Sequence, residues 1–275
     1  EAMMEGMAEY YSANLAENVR RGLYDNALQR KTIGGQMPLG LTRGEDGTYA
    51  LVTGADSYVA AVNVYTKRDK LIYQWFSSND MINNVAISPN GKKIAISSLT
   101  SNISGFNSKV MILNFESANA EFSKNYDGEM VYNLSAVSSR GVGVATANTY
   151  DFIHWRKYES KQYKNEYNLQ MMRECDGGIL LVYNRENDKT DNRFAIFTKN
   201  GKLKREIQFK GSITDFAIKN QHIYCTSDTK AYILDNDGSF LRQGECGFGV
   251  KRICPLGQSA MAIVTDNTIE RIKLE

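Results

Sequence analysis

The densest grouping of residues able to do chemistry is basic: Arg20, Arg21, Arg30 and Lys31 crowd one short stretch. Lysine and arginine neutralise phosphate without reading bases, so the chemistry they offer is weak, non-specific contact with a DNA backbone. Short runs of this kind are more often the solvated end of a helix. Elsewhere the reactive residue types are scattered. His154 alternates with Ile153 and Trp155, which points its imidazole away from both, and no nucleophile and carboxylate are arranged beside it. His222 follows Gln221 at a turn and reads as a surface residue. Cys175, Cys225, Cys246 and Cys254 contain no CxxC pair, so no structural metal is expected; free thiols and disulfides both suit an even count.

Asp191, Asp228, Asp235, Asp237 and Asp266 fall among turn residues, where aspartate hydrogen-bonds the local backbone. Asp235-Asn236-Asp237-Gly238 begins like a calcium loop but lacks the later glutamate and the flanking helices. Trp75 and Trp155 occupy different positions in their strands and read as buried anchors, not as a cofactor-binding repeat. The expectation is a protein without catalytic residues, metal or cofactor.

Two kinds of element must position these residues. Met4, Met7, Tyr11, Leu15, Val19, Leu23 and Ala27 recur every three or four residues, the stripe of one long amphipathic helix running to about Lys31. Glu1, Glu5, Glu9 and Glu17 occupy its first half and the basic residues its second, an order that suits the helix macrodipole. Gly34 and Gly35 stop it. From Leu41 onward the period changes to 2 and stays there. VAISPNGKKIAISSL, from Val85 to Leu99, shows the design: two alternating strands joined at Pro89-Asn90-Gly91, which supplies the fixed φ and the glycine of a hairpin.

Comparable units start at Leu41, Leu134, Leu169, Phe216 and Ile253, at a mean spacing of roughly 42 residues, the length of a four-stranded propeller blade. A third strand follows each, among them AAVNVYT from Ala60, KVMILNF from Lys109 and RFAIFT from Arg193. Fourth strands include KLIYQWF from Lys70, EFSKNY from Glu121 and LKREIQF from Leu203. Asn200-Gly201 and Asp237-Gly238 supply hairpin turns of the kind that strand twist selects. The fold class expected is therefore all-β, a β-propeller of about five to six four-stranded blades preceded by the helix. A β-sandwich, also regular in its turns, is the alternative. The sixth unit ends at its third strand, IERIKL, so the ring is expected to be incomplete as written. Tyr158 to Tyr167, YESKQYKNEY, reads as an exposed outer strand or insertion open to a partner.

Composition narrows the function classes. The 275 residues carry a net charge of only +2, so no global field recruits nucleic acid. Sixteen tyrosines and eleven phenylalanines against three prolines favour strands. No apolar run approaches the roughly 18 residues of a membrane span, and no signal-peptide pattern opens the chain, which reads as soluble.

Two resemblances overlie this reading. AEYYSANLAENVRRGLYDNALQRKTIGGQMPLG, from Ala8 to Gly40, resembles the long helix and GG-x-x-P-x-G junction of serine recombinases of the resolvase and invertase type. That resemblance implies DNA contact by Arg20, Arg21, Arg30, Lys31, Gly34 and Gly35, and a cytoplasmic setting. It covers only about the first 45 residues; the catalytic serine and arginine cluster of that family have no counterpart here, nor do its zinc ribbon and coiled coil. From about residue 49 onward, NDMINNVAISPNGKKIAISS and KAYILDNDGSF resemble bacterial propeller-like domains of unknown function, which implies a cell-envelope setting. The organisation expected is a helix and linker over residues 1–45 and a propeller-like repeat domain over 46–275. The function expected is a non-enzymatic binding scaffold presenting a loop face to a protein or small ligand. The alternative is a DNA-binding recombinase fragment without its catalytic domain.

Overall fold

The structure, a computed structural model, describes residues 41–275 apart from 45–46, 55–59, 78–79, 103–104, 118–119, 137, 176–177 and 236. The expected helix, its basic cluster and the glycine pair lie outside the described residues. The described residues form 23 strands and no helix.

The strands make six sheets, each a meander of antiparallel neighbours in chain order. The first holds β1 (Leu41–Arg43), β2 (Tyr49–Gly54), β3 (Ala60–Tyr65) and β4 (Leu71–Ser77); the second β5 (Met81–Ile87), β6 (Lys93–Asn102), β7 (Gly105–Asn114) and β8 (Ala120–Asp127). The third holds β9 (Asn133–Ser135), β10 (Gly141–Ala145), β11 (Thr149–His154) and β12 (Ser160–Lys164). The fourth is β13 (Asn168–Cys175), β14 (Gly178–Arg185), β15 (Asp188–Thr198) and β16 (Leu203–Lys210). The fifth is β17 (Ile213–Lys219), β18 (His222–Ser227), β19 (Lys230–Leu234) and β20 (Phe240–Glu245). The sixth holds β21 (Arg252–Gly257), β22 (Ala260–Val264) and β23 (Ile269–Lys273).

The hairpin turns form where the glycines demanded them. Gly91, Gly201 and Gly238 have φ of 62°, 69° and 84°, a region that costs other L-residues energy. In the first of these turns the Lys93 amide donates to Ser88 Oγ at 2.9 Å, and Ser88 Oγ–H donates to Asn90 Oδ1 at 2.8 Å.

Five apolar clusters hold the sheets together, each lying between consecutive sheets. The fourth sheet shows how. Leu180, Val182, Phe194 and Ile196 pack with Phe216 and Ile223 of the fifth sheet. Ile179, Leu181, Tyr183, Ala195 and Phe197 pack with Tyr150 and Phe152 of the third. Alternate side chains leave opposite faces of a strand, so a sheet buried on both faces needs an unbroken apolar run, which is what GILLVY supplies. Six sheets joined by serial seams exclude the two-sheet sandwich.

The first strand of each sheet is its innermost. β1 lies beside β5, β5 beside β9, β13 beside β17 and β17 beside β21. The expected exposed segment after Tyr158 is the outer strand β12, but its last residue, Tyr167, is buried: the chain turns inward there to begin the fourth sheet.

Candidate functional site

The DNA-contact candidates Arg20, Arg21, Arg30, Lys31, Gly34 and Gly35 lie outside the described residues. Most of the remaining reactive residues are placed in structural roles. His154 Nδ1 accepts the backbone N–H groups of Arg156 and Lys157 at 3.2 and 3.3 Å, which caps a turn. His222 is half-buried. Trp155 is buried, and its indole N–H donates to the Ser138 carbonyl at 2.9 Å. Asp235 accepts the amides of Asp237 and Ser239 at 2.7 and 2.9 Å, the local turn bonding expected of it. Asp191 departs from the turn reading: it sits in β15 and accepts from Tyr167 Oη at 2.8 Å.

Among the described residues no three His, Cys, Asp or Glu side chains come close enough to hold a metal ion. Cys225, Cys246 and Cys254 are free thiols. Burial pushes the Cys225 thiol far up and the Cys246 thiol to about 11, which keeps both protonated and unreactive at neutral pH.

The surface that stands out is one end of the sheets. With four antiparallel strands to a sheet, β5, β7 and β9 all begin at the end where the chain passes from sheet to sheet. Met81 opens β5, Phe106 is the second residue of β7 and Tyr132 immediately precedes β9; they are 62%, 53% and 51% exposed. Phe248, 83% exposed, lies in the connection from β20 to β21 at that same end. The backbone beneath the first three is tied down. Asn83 Nδ2 and Asn84 Nδ2 donate to the Val131 carbonyl at 2.7 and 3.2 Å, and the Val131 amide donates to Ser108 Oγ at 3.0 Å. Large apolar groups are thus presented on a braced frame. Sequence reasoning missed them, although Phe106 in SNISGFNSK, an aromatic among turn residues, carried a signal.

Further in, polar side chains link the innermost strands. Arg173 on β13 is ion-paired with Asp215 on β17 through Nη2, and its other terminal nitrogen donates to the Phe216 carbonyl. Asp215 also accepts the Ile253 amide from β21 at 2.8 Å, and Arg252 Nη1 stands 4.0 Å from it. Burial pushes the Asp215 carboxyl up although Arg173 opposes it, and burial likewise lowers Arg173. This array ties the fourth, fifth and sixth sheets together through their innermost strands.

Six serial antiparallel sheets with their first strands innermost define a β-propeller. Residues 42–274 match the Family of unknown function (DUF5711), and the chain belongs to that family. No curated protein matches it. Solved structures of similar fold include Kluyveromyces lactis Hsv2, with a TM-score of 0.56 and 13% identity over 86% of this chain and 73% of that one. The Dos1 propeller is similar with a TM-score of 0.55 and 13% identity, covering 85% of this chain and 69% of that chain. The C-terminal WD40 domain of Sif2 gives 0.56 and 13%, covering 85% and 66%. At such identities the likeness concerns the fold. No helix among the described residues is long and apolar enough to cross a membrane.

Proposed function

We propose that the chain is a non-enzymatic propeller scaffold that binds a protein partner on the end face carrying Met81, Phe106 and Tyr132. The observation that carries this reading is the exposure of three large apolar side chains at strand starts on one end of the second and third sheets, over a hydrogen-bonded frame. Large apolar groups exposed on one face mark interaction sites, where a few aromatic anchors supply most of the binding energy. Likeness in fold to a WD40 domain agrees with a scaffold, although fold alone assigns no activity. Pull-down from a cell-envelope fraction tests the reading. A protein retained by the native chain should be lost from a Met81→Asp, Phe106→Asp, Tyr132→Asp variant whose melting temperature is unchanged. Equal retention by both sinks the proposal.

In this reading residues 1–45 form a helix and linker and 46–275 the propeller, with Leu41–Arg43 of the linker already paired to the first sheet. A second reading rests on the recombinase-like residue pattern from Ala8 to Gly40: the helix contacts DNA phosphates through Arg20, Arg21, Arg30 and Lys31, with Gly34 and Gly35 at the junction. Four phosphate contacts give a log-log salt slope of about −3.6. A gel shift without binding at low salt removes it.

A further inference from the structure

The face of the fourth sheet that meets the third is covered with aromatic rings along most of its length, and at the sheet-connection end it carries a cleft of about 520 Å³ lined by β14, β15 and β16 together with Tyr167. That size suits a small molecule. The strand register places its chemistry. Asp191 lies opposite Lys210 and Arg193 opposite Gln208, so the four side chains share the face that carries Ala195 and Phe197 deeper in the seam. Tyr167 is the platform: the guanidinium carbon of Arg193 lies 4.3 Å from its ring centroid and that of Arg185 5.5 Å. Stacking occupies a guanidinium's face and leaves its N–H edges for other partners.

The acidic groups in the cleft are already engaged. Asp191 accepts from Tyr167 Oη at 2.8 Å and from Gln208 Nε2 at 3.1 Å, and Arg185 Nε stands 3.6 Å away. Asp188 accepts from the Thr190 amide at 2.9 Å and the Thr190 hydroxyl at 2.6 Å. Among the described residues Arg185–Asp191 is the one ion pair in the cleft, and Arg193 and Lys210 enter none. Arg193 and Lys210 therefore border the open volume without pairing to either carboxylate of its lining, Asp188 or Asp191.

We infer that this cleft is an oxyanion site that takes the phosphate group of a small phosphate ester, held by Arg193 and Lys210 on the Tyr167 platform. A guanidinium fork beside an ammonium matches the several oxygens of a phosphate. The two carboxylates in the lining repel an extended polyanion and restrict the site to a single anionic group.

Calorimetric titration of the full chain at low salt tests this, with glycerol 3-phosphate in one arm and phosphatidylcholine vesicles containing phosphatidic acid in another. Saturable binding weakened at least tenfold by Arg193→Gln and by Lys210→Gln, with melting temperatures unchanged, supports the site. Binding of the soluble ester identifies a free metabolite as the source, and binding of the vesicles alone identifies a lipid headgroup. Arg156→Gln, which removes an exposed cation outside the cleft, should bind like the native chain. An absence of saturable binding in both arms overturns the inference, as does retention of binding by the Arg193→Gln, Lys210→Gln double variant. Equal weakening by Arg156→Gln also overturns it, because that result reports diffuse surface charge.

Discussion

The seam between the second and third sheets and the seam between the third and fourth share an architecture but differ in how they use polar groups. In the first, charged groups are spent on holding sheets together. Lys124 Nζ donates to Asp151 Oδ2 at 2.6 Å, and the fully buried Asp151 also accepts from Tyr126 Oη at 2.8 Å and Ser160 Oγ at 2.9 Å. Lys93 Nζ donates to Glu121 at 2.5 Å, to the Trp155 carbonyl at 2.9 Å and to Tyr158 Oη at 2.9 Å. The Tyr158 ring stacks on Phe122, with centroids 5.6 Å apart. In the second seam the core is aromatic, and among the described residues Arg193 and Lys210 enter no ion pair and the hydroxyls of Tyr150 and Tyr183 are buried without a partner. The first seam thus adds buried ion pairing to an apolar core, whereas the second has an aromatic core, is crossed by the Ser135–Glu174 and Tyr163–Glu206 hydrogen bonds, and ends in a charged cleft. Polar groups at a propeller seam can thus serve the fold or be left for a ligand, and counting partners tells which.

The contrast breaks first at Asp151. Its replacement by Ala leaves Lys124, Tyr126 and Ser160 facing an emptied, buried position and should cost about 3 kcal/mol, measured by urea unfolding. A loss below about 1 kcal/mol, the usual worth of an exposed ion pair, would mean the buried ion pairing contributes no more than a surface contact.

The far end of the second seam comes next. A Cβ added at Gly201 would lie 2.1 Å from Cγ of Phe152, and the residue's φ of 69° is unfavourable for alanine. Gly201→Ala should therefore lower stability by about 2 kcal/mol, read as a shift in the urea midpoint with an unchanged m-value. An unaffected midpoint would show this end of the seam to be loosely packed.

Titration sharpens the first seam. The Lys93 ammonium, followed by the Tyr158 hydroxyl, holds the Glu121 carboxyl at about 2 against an ordinary 4.5. A folded-state value below the unfolded one contributes stability that is fully present above pH 4.5 and lost as pH falls toward 2. Glu121 is a quarter exposed, so solvent screening limits the gain to about 1 kcal/mol. Thermal melts of Glu121→Gln should show a deficit at pH 7 that closes between pH 5 and 2; a deficit constant over that range would assign the effect to packing.

The smallest expected effect has the opposite sign. Tyr183→Phe removes a buried hydroxyl without a partner and should raise stability by roughly 0.5–1 kcal/mol, visible as a higher melting temperature. A loss of stability would reveal that this hydroxyl is satisfied after all.

Much of the architecture is legible in the sequence. Val85 to Leu99 alternates, Pro89-Asn90-Gly91 turns it, and the same pattern recurs at blade spacing, because strand periodicity and turn chemistry are local properties. The cleft was not legible. The sequence pattern places Tyr167 in an exposed segment and Asp191 at a turn, while Arg185, Arg193 and Lys210 carry no motif. Nor did the pattern single out Asp151, which sits in DFIHW as an ordinary polar residue of a strand.

What the sequence determined by itself, then, was the kind of unit and its repetition: which segments are strands, where each hairpin turns, and which strands, such as GILLVY, must be covered on both faces. Only the tertiary structure decided which charges meet. A strand's side chains alternate between two seams, and a shift of one position exchanges their neighbours. Lys124 therefore finds Asp151 across one seam while Arg193 and Lys210 border an open cleft at the end of the next sheet, a difference made by how successive sheets pack face to face.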